Sequence, residues 1–271
     1  MPSASTAIKS ATRHGQVDLN SPALNGAFEA LKTYDQGSSR AALLPIDEAV
    51  IASLDDKVAQ KELERQLVNA VTQSGLAAAR EYLCSKLTLI GSKSAVTALA
   101  ALLGAPETAT AARTALEAIP GRQATKALRE SLSNVEGLQK IGVINSLGAR
   151  RDAESVRALT GLLKNADPET AGAAAAAMGD IGSAKAAKSL RDYQPNAPAV
   201  LREKVADACL VCAERLLVSG RRADAQVLYR MLATGTQSKH VQYAAASGLD
   251  LASGKPAASP GGSRNQPPAV Q

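Results

Sequence analysis

From about residue 21 to residue 253, apolar positions recur at intervals of three and four, broken by glycine or proline. That is the pattern of helices joined by tight turns. One phrase returns four times: LTLIGSKSAVTALAALL at Leu87 to Leu103, LEAIPGRQATKALRESL at Leu116 to Leu132, VINSLGARRDAESVRALTGLL at Val143 to Leu163 and MGDIGSAKAAKSL at Met178 to Leu190. Each copy ends one apolar helical face, turns at glycine and opens another. Aligned on Leu99, Leu128, Leu159 and Leu190, the period is 29, 31 and 31 residues by subtraction. Two helices of roughly 12 residues with two short turns fill such a period. A sequence repeated at this interval predicts an array in which each unit buries its apolar face against its neighbours.

The flanks extend the pattern. Ser21 and Pro22 read as N-cap and first helical residue, followed by Leu24, Phe28, Leu31 and Tyr34. A second helix starts near Pro45, and a third runs from about Lys57 to Thr72. Phe28, the only phenylalanine, is expected to anchor this first pair as a cap on the array. The glycines Gly91, Gly121, Gly148 and Gly182 fall where the chain leaves a first helix, a place that favours positive φ. The run Ala171, Gly172 and Ala173 to Ala177 predicts a helix clamped between close neighbours at the centre of the array. A longer helix follows from about Ala199 to Val218, then a pair around Tyr229, and a last helix over Lys239 to Leu251. Residues 1–20 read as a disordered leader, 21–253 as the helical array with its clearest repeats over 76–193, and 254–271 as a disordered Pro/Gly/Ser tail or linker.

Composition sharpens the class. Hydrophobic residues make up 45% of the chain, aromatics only 2%, and there is no Trp. Alanine and leucine must therefore fill the core, which suits closely packed helices. The fold class expected is all-α: a right-handed α-solenoid of stacked antiparallel helix pairs. The formal charge of +6 is spread thinly, with 25 basic against 22 acidic groups between residues 41 and 254. A nucleic-acid argument must then rest on local clustering. No apolar run reaches the roughly 18 residues of a membrane span, and the first twenty residues lack a secretory apolar segment. As written, the chain is expected to be soluble and cytoplasmic, unless it is a piece of a longer precursor.

At these residues the chain resembles the HEAT repeat superfamily, in particular the short bacterial repeats also called PBS-lyase HEAT-like. The phrase IGSKSAVTALAALL at Ile90 to Leu103 carries the likeness, which extends over about Leu76 to Leu190. The resemblance implies an α-solenoid with a binding surface, and it supplies no catalytic residue. The family often places proline two residues before the second-helix leucine. Here Thr97, Lys126, Arg157 and Lys188 stand in that column. Three cations then stack at the ~8–10 Å spacing of packed helices, and Arg129 and Arg191 lie one turn further on. This ridge of Lys126, Arg129, Arg157, Lys188 and Arg191 is a candidate holder of phosphates or of a carboxylate-rich strand. The alternative is a solvated helix face, with Glu130 and Asp192 nearby.

Other chemistry is sparse. Cys209 and Cys212 share one side of a helix, but zinc wants four ligands and only Cys84 and two distant histidines remain. Two buried small side chains is the better reading. His14 and His240 have no recurring acid and nucleophile beside them, and no phosphate-binding glycine loop or metalloprotease motif is present. No cofactor and no metal are expected. The function that follows is a non-catalytic scaffold with a protein partner. Nucleic-acid or polyanion binding through the ridge is the alternative, and an accessory domain of an enzyme or a lyase-like activity ranks third.

Overall fold

The computed structural model describes residues 18–234 and 236–254. The leader expected over 1–20 and the tail expected over 254–271 lie almost wholly outside them. Asp18 to Asn20, at the end of the expected leader, form a turn with Leu19 buried and its carbonyl within 3.4 Å of the Gln66 amide. The described residues are helical, with no strand among them. By contact they divide into two units at Ala124/Thr125.

The first unit holds α1 (Pro22–Ala30), α2 (Leu44–Ser53), α3 (Lys57–Gln73), α4 (Ala77–Ile90), α5 (Val96–Ala100) and α6 (Pro106–Ala118). Ser21 caps α1, its hydroxyl accepting from the Leu24 amide at 3.3 Å, with Pro22 in the first turn where no N–H is needed. Asp56 caps α3 through Val58 and Ala59. Phe28 is only half-buried, and the core beneath α1 is made by Leu24, Ala27 and Leu31 instead. The expected anchor role of Phe28 thus falls to smaller residues, because the ring sits at the edge of the α1 face.

Helix α7 (Arg122–Ser131) carries the division. The second unit continues with α8 (Gly137–Ala149), α9 (Val156–Leu162), α10 (Pro168–Ile181), α11 (Ala184–Tyr193), α12 (Arg202–Val218), α13 (Arg222–Thr234) and α14 (Lys239–Ala252). Helix α10 packs on α8 and on α12, while α9, α11 and α13 form a second layer against them. The aligned leucines Leu99, Leu128, Leu159 and Leu190 are all fully buried. Each such leucine contributes about 1.5–3 kcal/mol by leaving water.

Two of the four expected turn glycines behave as expected and two do not. Gly121 and Gly182 have φ of +95° and +58°. Gly148 lies inside α8, where its bareness serves packing: a Cβ there would stand 2.8 Å from the Ala177 Cα. Gly91 is extended at φ −65°. The left-handed turn after α8 is made by Arg151 at φ 51°, whose N–H bonds the Gly148 carbonyl while the Asp152 N–H bonds Leu147. On the next seam a Cβ at Gly179 would lie 2.8 Å from the Ala208 carbonyl oxygen. The alanine-rich α10 is therefore held at backbone distance on both sides, the clamp expected from its composition.

Candidate functional site

The sequence places five cations on the second helices, and the structure sorts them into two groups. Arg129 on α7 is drawn inward. Its Nη1 donates to both oxygens of Asp152 at 2.8 Å, and its Nη2 stands 2.7 Å from Glu154 Oε2. Asp152 is itself only 9% exposed and accepts from the Ser155 hydroxyl. With the Arg150 Nε bond to Thr125 Oγ1 at 2.7 Å, this ties the loop before α9 to α7. Arg129 is thus a clasp between successive helix pairs, with both terminal nitrogens engaged by carboxylates of the protein.

The other four stay at the surface. Lys126 lies 3.5 Å from Glu130, and Lys188 and Arg191 share Asp192 at 2.8 and 2.9 Å. The Lys188 ammonium first, and then the Arg191 guanidinium, hold the Asp192 carboxyl below the usual carboxylate range. Arg157 is exposed, and no carboxylate is recorded within ion-pair distance of it among the described residues.

Arg157 and Lys188 are brought together across a groove between α9 and α11, of about 380 Å³, whose lining includes Thr160, Lys185 and Ser189. Thr160 Oγ1 and Ser189 Oγ lie 2.9 Å apart and bridge the two helices at the groove. Lys185 belongs to this site and falls outside the aligned column, so alignment on leucines misses it. The i, i+3 spacing of Lys185 and Lys188 in KAAK is the signal that puts both on one face. A second groove of about 310 Å³ follows between α11 and α13, lined by Ala184, Ala187, Lys188, Arg191, Asp224, Val227 and Leu228. Lys188 stands in both.

Elsewhere the reactive groups are locked into structure. Cys84, Cys209 and Cys212 are buried and unpaired, and burial pushes the Cys84 and Cys212 thiols up to about 12 and the Cys209 thiol up as well. His240 meets Glu203 at 3.5 Å and Ser238 at 3.4 Å through the same Nε2, so the ring does not bridge the two. Among the described residues no group of three or more His, Cys, Asp or Glu lies together to hold a metal ion. No described helix is long and apolar enough to cross a membrane.

In the first unit, the Tyr82 hydroxyl donates to Asp47 Oδ1 at 2.9 Å and lies 3.1 Å from the Leu43 carbonyl oxygen, its one proton being shared between the two acceptors. Lys86 pairs with Asp47 at 2.5 Å and lies 4.6 Å from the Tyr82 ring centre. Burial and the Asp47 bond raise the phenol far above its ordinary value. This cluster pins α2 to α4.

No curated protein matches the chain. Two crystal structures of engineered proteins from the Northeast Structural Genomics Consortium resemble it. One is 20% identical over 77% of this chain and 96% of that chain, with a TM-score of 0.40. The other is 19% identical over 85% and 74%, again with a TM-score of 0.40. Ile90 to Leu103, where the family phrase is plainest to the eye, lies outside the stretch that matches a family model. That stretch is residues 136–209, from the start of α8 into α12, and the family it matches is that of HEAT repeats.

Proposed function

We propose that this chain is a non-catalytic HEAT-repeat scaffold that holds a protein partner against the outer side of α9, α11 and α13, in a cytoplasmic setting where its thiols stay reduced. The observation that supports a protein partner is the alternation of charge on this side. Lys126, Arg157, Lys185, Lys188 and Arg191 are interleaved with Glu130, Glu154 and Asp192. A phosphate backbone laid along it would pass each of those carboxylates, whereas a protein surface carries both signs and can match them. The open grooves between neighbouring helices suit many modest contacts, with a few anchoring side chains supplying most of the affinity. Against catalysis stand the high thiol pKa values, which leave protonated sulfur at neutral pH where a nucleophile needs thiolate.

A second reading, polyanion binding, draws on Arg157 and Lys185, which have no recorded carboxylate partner among the described residues. Affinity purification of the tagged chain from its own cells, with and without nuclease, separates the two. A protein partner that survives nuclease is the expected result. Loss of every associated molecule on nuclease, together with a steep fall of binding with salt, would replace the scaffold reading by the polyanion one.

A further inference from the structure

The α9–α11 groove is the place on the second-helix side where positive charge is least compensated. Arg157, Lys185 and Lys188 border it, and only Lys188 among them has a recorded carboxylate partner, Asp192. Glu154, the acidic residue in the lining, is already engaged by Arg129. Between the cations the lining is short: Ala153, Val156, Thr160 and Ser189. A carboxylate entering from solvent therefore meets a guanidinium whose planar fork fits two oxygens, and two ammonium groups. One helix further on, the adjoining groove is walled by Ala184, Ala187, Val227 and Leu228 and shares Lys188. An anion subsite and an apolar subsite are thus set side by side.

Resting on the scaffold reading, we propose that these two grooves receive an extended acidic segment of the protein partner, its carboxylates in the α9–α11 groove and an apolar side chain between α11 and α13. Neighbouring packed helices lie ~8–10 Å apart, and an extended chain rises ~3.3 Å per residue. Because alternate side chains share a face of an extended chain, the two carboxylates stand two positions apart and the apolar residue two positions beyond them. The charge excess is local to one groove, so a short segment satisfies it. A long polyanion gains less beyond it, because at the next groove Lys188 and Arg191 are already paired with Asp192 and the lining adds Asp224.

The test is fluorescence anisotropy with the full chain and a short fluorescein-labelled peptide of glycine and serine carrying aspartate and glutamate two positions apart and, two positions beyond them, leucine. Comparison peptides replace the acids by their amides, or the leucine by serine, and a labelled single-stranded DNA of similar length is the polyanion probe. The proteins are wild type, the double variant R157E/K185E, and K126E as a charge reversal on the same side outside the groove. Both reversed groove residues are exposed, and circular dichroism checks that each variant keeps its helices.

The acidic peptide is expected to bind wild type, to lose at least about tenfold affinity on R157E/K185E, and to lose much less on K126E. The amide peptide is expected not to bind, and the serine peptide to bind more weakly. Absence of binding, equal binding to the groove variant, or tighter binding of the DNA lost in the same variant would each overturn the assignment. If the peptide fails while wild type and R157E/K185E both retain a nuclease-resistant protein from cells, the groove assignment falls and the scaffold stands. If no such protein is retained, the scaffold reading falls with it.

Discussion

Replacing Gly179 by alanine adds one methyl group at the seam between α10 and α12. Its Cβ would stand 2.8 Å from the Ala208 carbonyl oxygen and 3.2 Å from the Ala208 Cα. Both atoms belong to the backbone of α12, so no rotamer change relieves the contact and the two helices must separate by roughly half an ångström. Overpacking of this kind costs about 1–3 kcal/mol, and the upper half of that range applies where the neighbour is main chain. Alanine recovers ~1 kcal/mol of helix propensity over glycine. The expected net loss is therefore about 1–2 kcal/mol, or roughly 2–4 °C in Tm for each kcal/mol at this chain length.

Gly161 supplies the control. It is exposed on α9 with nothing within 4 Å of a built Cβ, so Gly161→Ala gains propensity without a clash and is expected to stabilise by about 0.5–1 kcal/mol. Urea unfolding followed by far-ultraviolet circular dichroism measures both. The same substitution should move the midpoint in opposite directions at the two sites. If Gly179→Ala is as stable as wild type while Gly161→Ala gains, the packing distance between α10 and α12 does not set the identity of residue 179.

A double-mutant cycle on Arg129→Ala and Asp152→Ala should give a coupling of about 1–3 kcal/mol, since Asp152 is nearly buried and loses its cation in Arg129→Ala, while Asp152→Ala leaves Arg129 with Glu154 alone; a coupling near zero removes the clasp between α7 and the loop before α9. Arg151→Gly should stabilise by about 0.5–1 kcal/mol by relieving the left-handed backbone at φ 51°, read from the same urea titration. The three thiols should be silent to Ellman's reagent in the folded chain at mildly alkaline pH and react in urea. Because burial holds the Cys84 and Cys212 pKa values near 12 against an ordinary 9.0, the unfolded chain sheds protons first. Stability should then be flat below about pH 9 and fall as pH rises from there towards 12, and a rise over that window would contradict the burial.

The helices were legible wherever a local rule decides them. Ser21 with Pro22, the start of α3 at Lys57 and the last helix from Lys239 all follow from residues within one turn of each other. The turn chemistry was less legible, because glycine answers two different demands. At Gly182 it permits a left-handed backbone, and at Gly148 it permits a neighbour to approach, so the Gly148 column does not reveal that Arg151 makes the turn. Contacts one repeat apart were hidden for another reason. Glu64 accepts from the Ser92 N–H at 2.7 Å across 28 residues, Arg129 reaches Asp152 across 23, and Tyr82 finds Asp47 across 35. Alignment of repeats shows which positions are equivalent, while pairing depends on which equivalents face one another. For the candidate site, the column through Arg157 and Lys188 could be read by aligning leucines, Lys185 is signalled only by its i, i+3 spacing from Lys188, and the inward turn of Arg129 appears only once Asp152 is in place.

The seam through Gly148, Ala177, Gly179 and Ala208 also bears on elasticity. Interfaces built from leucine can absorb a bend by exchanging rotamers, each trading one set of contacts for another. Methyl groups and bare backbone have no rotamers to exchange, so α8, α10 and α12 slide past one another only by losing contact outright. Within the second unit these helices form the stiff side, and a change of curvature has to be taken up among the longer side chains of α9, α11 and α13. Compliance is thereby placed on the side where the grooves open, and a ligand wedged there would be felt as strain along the rigid one.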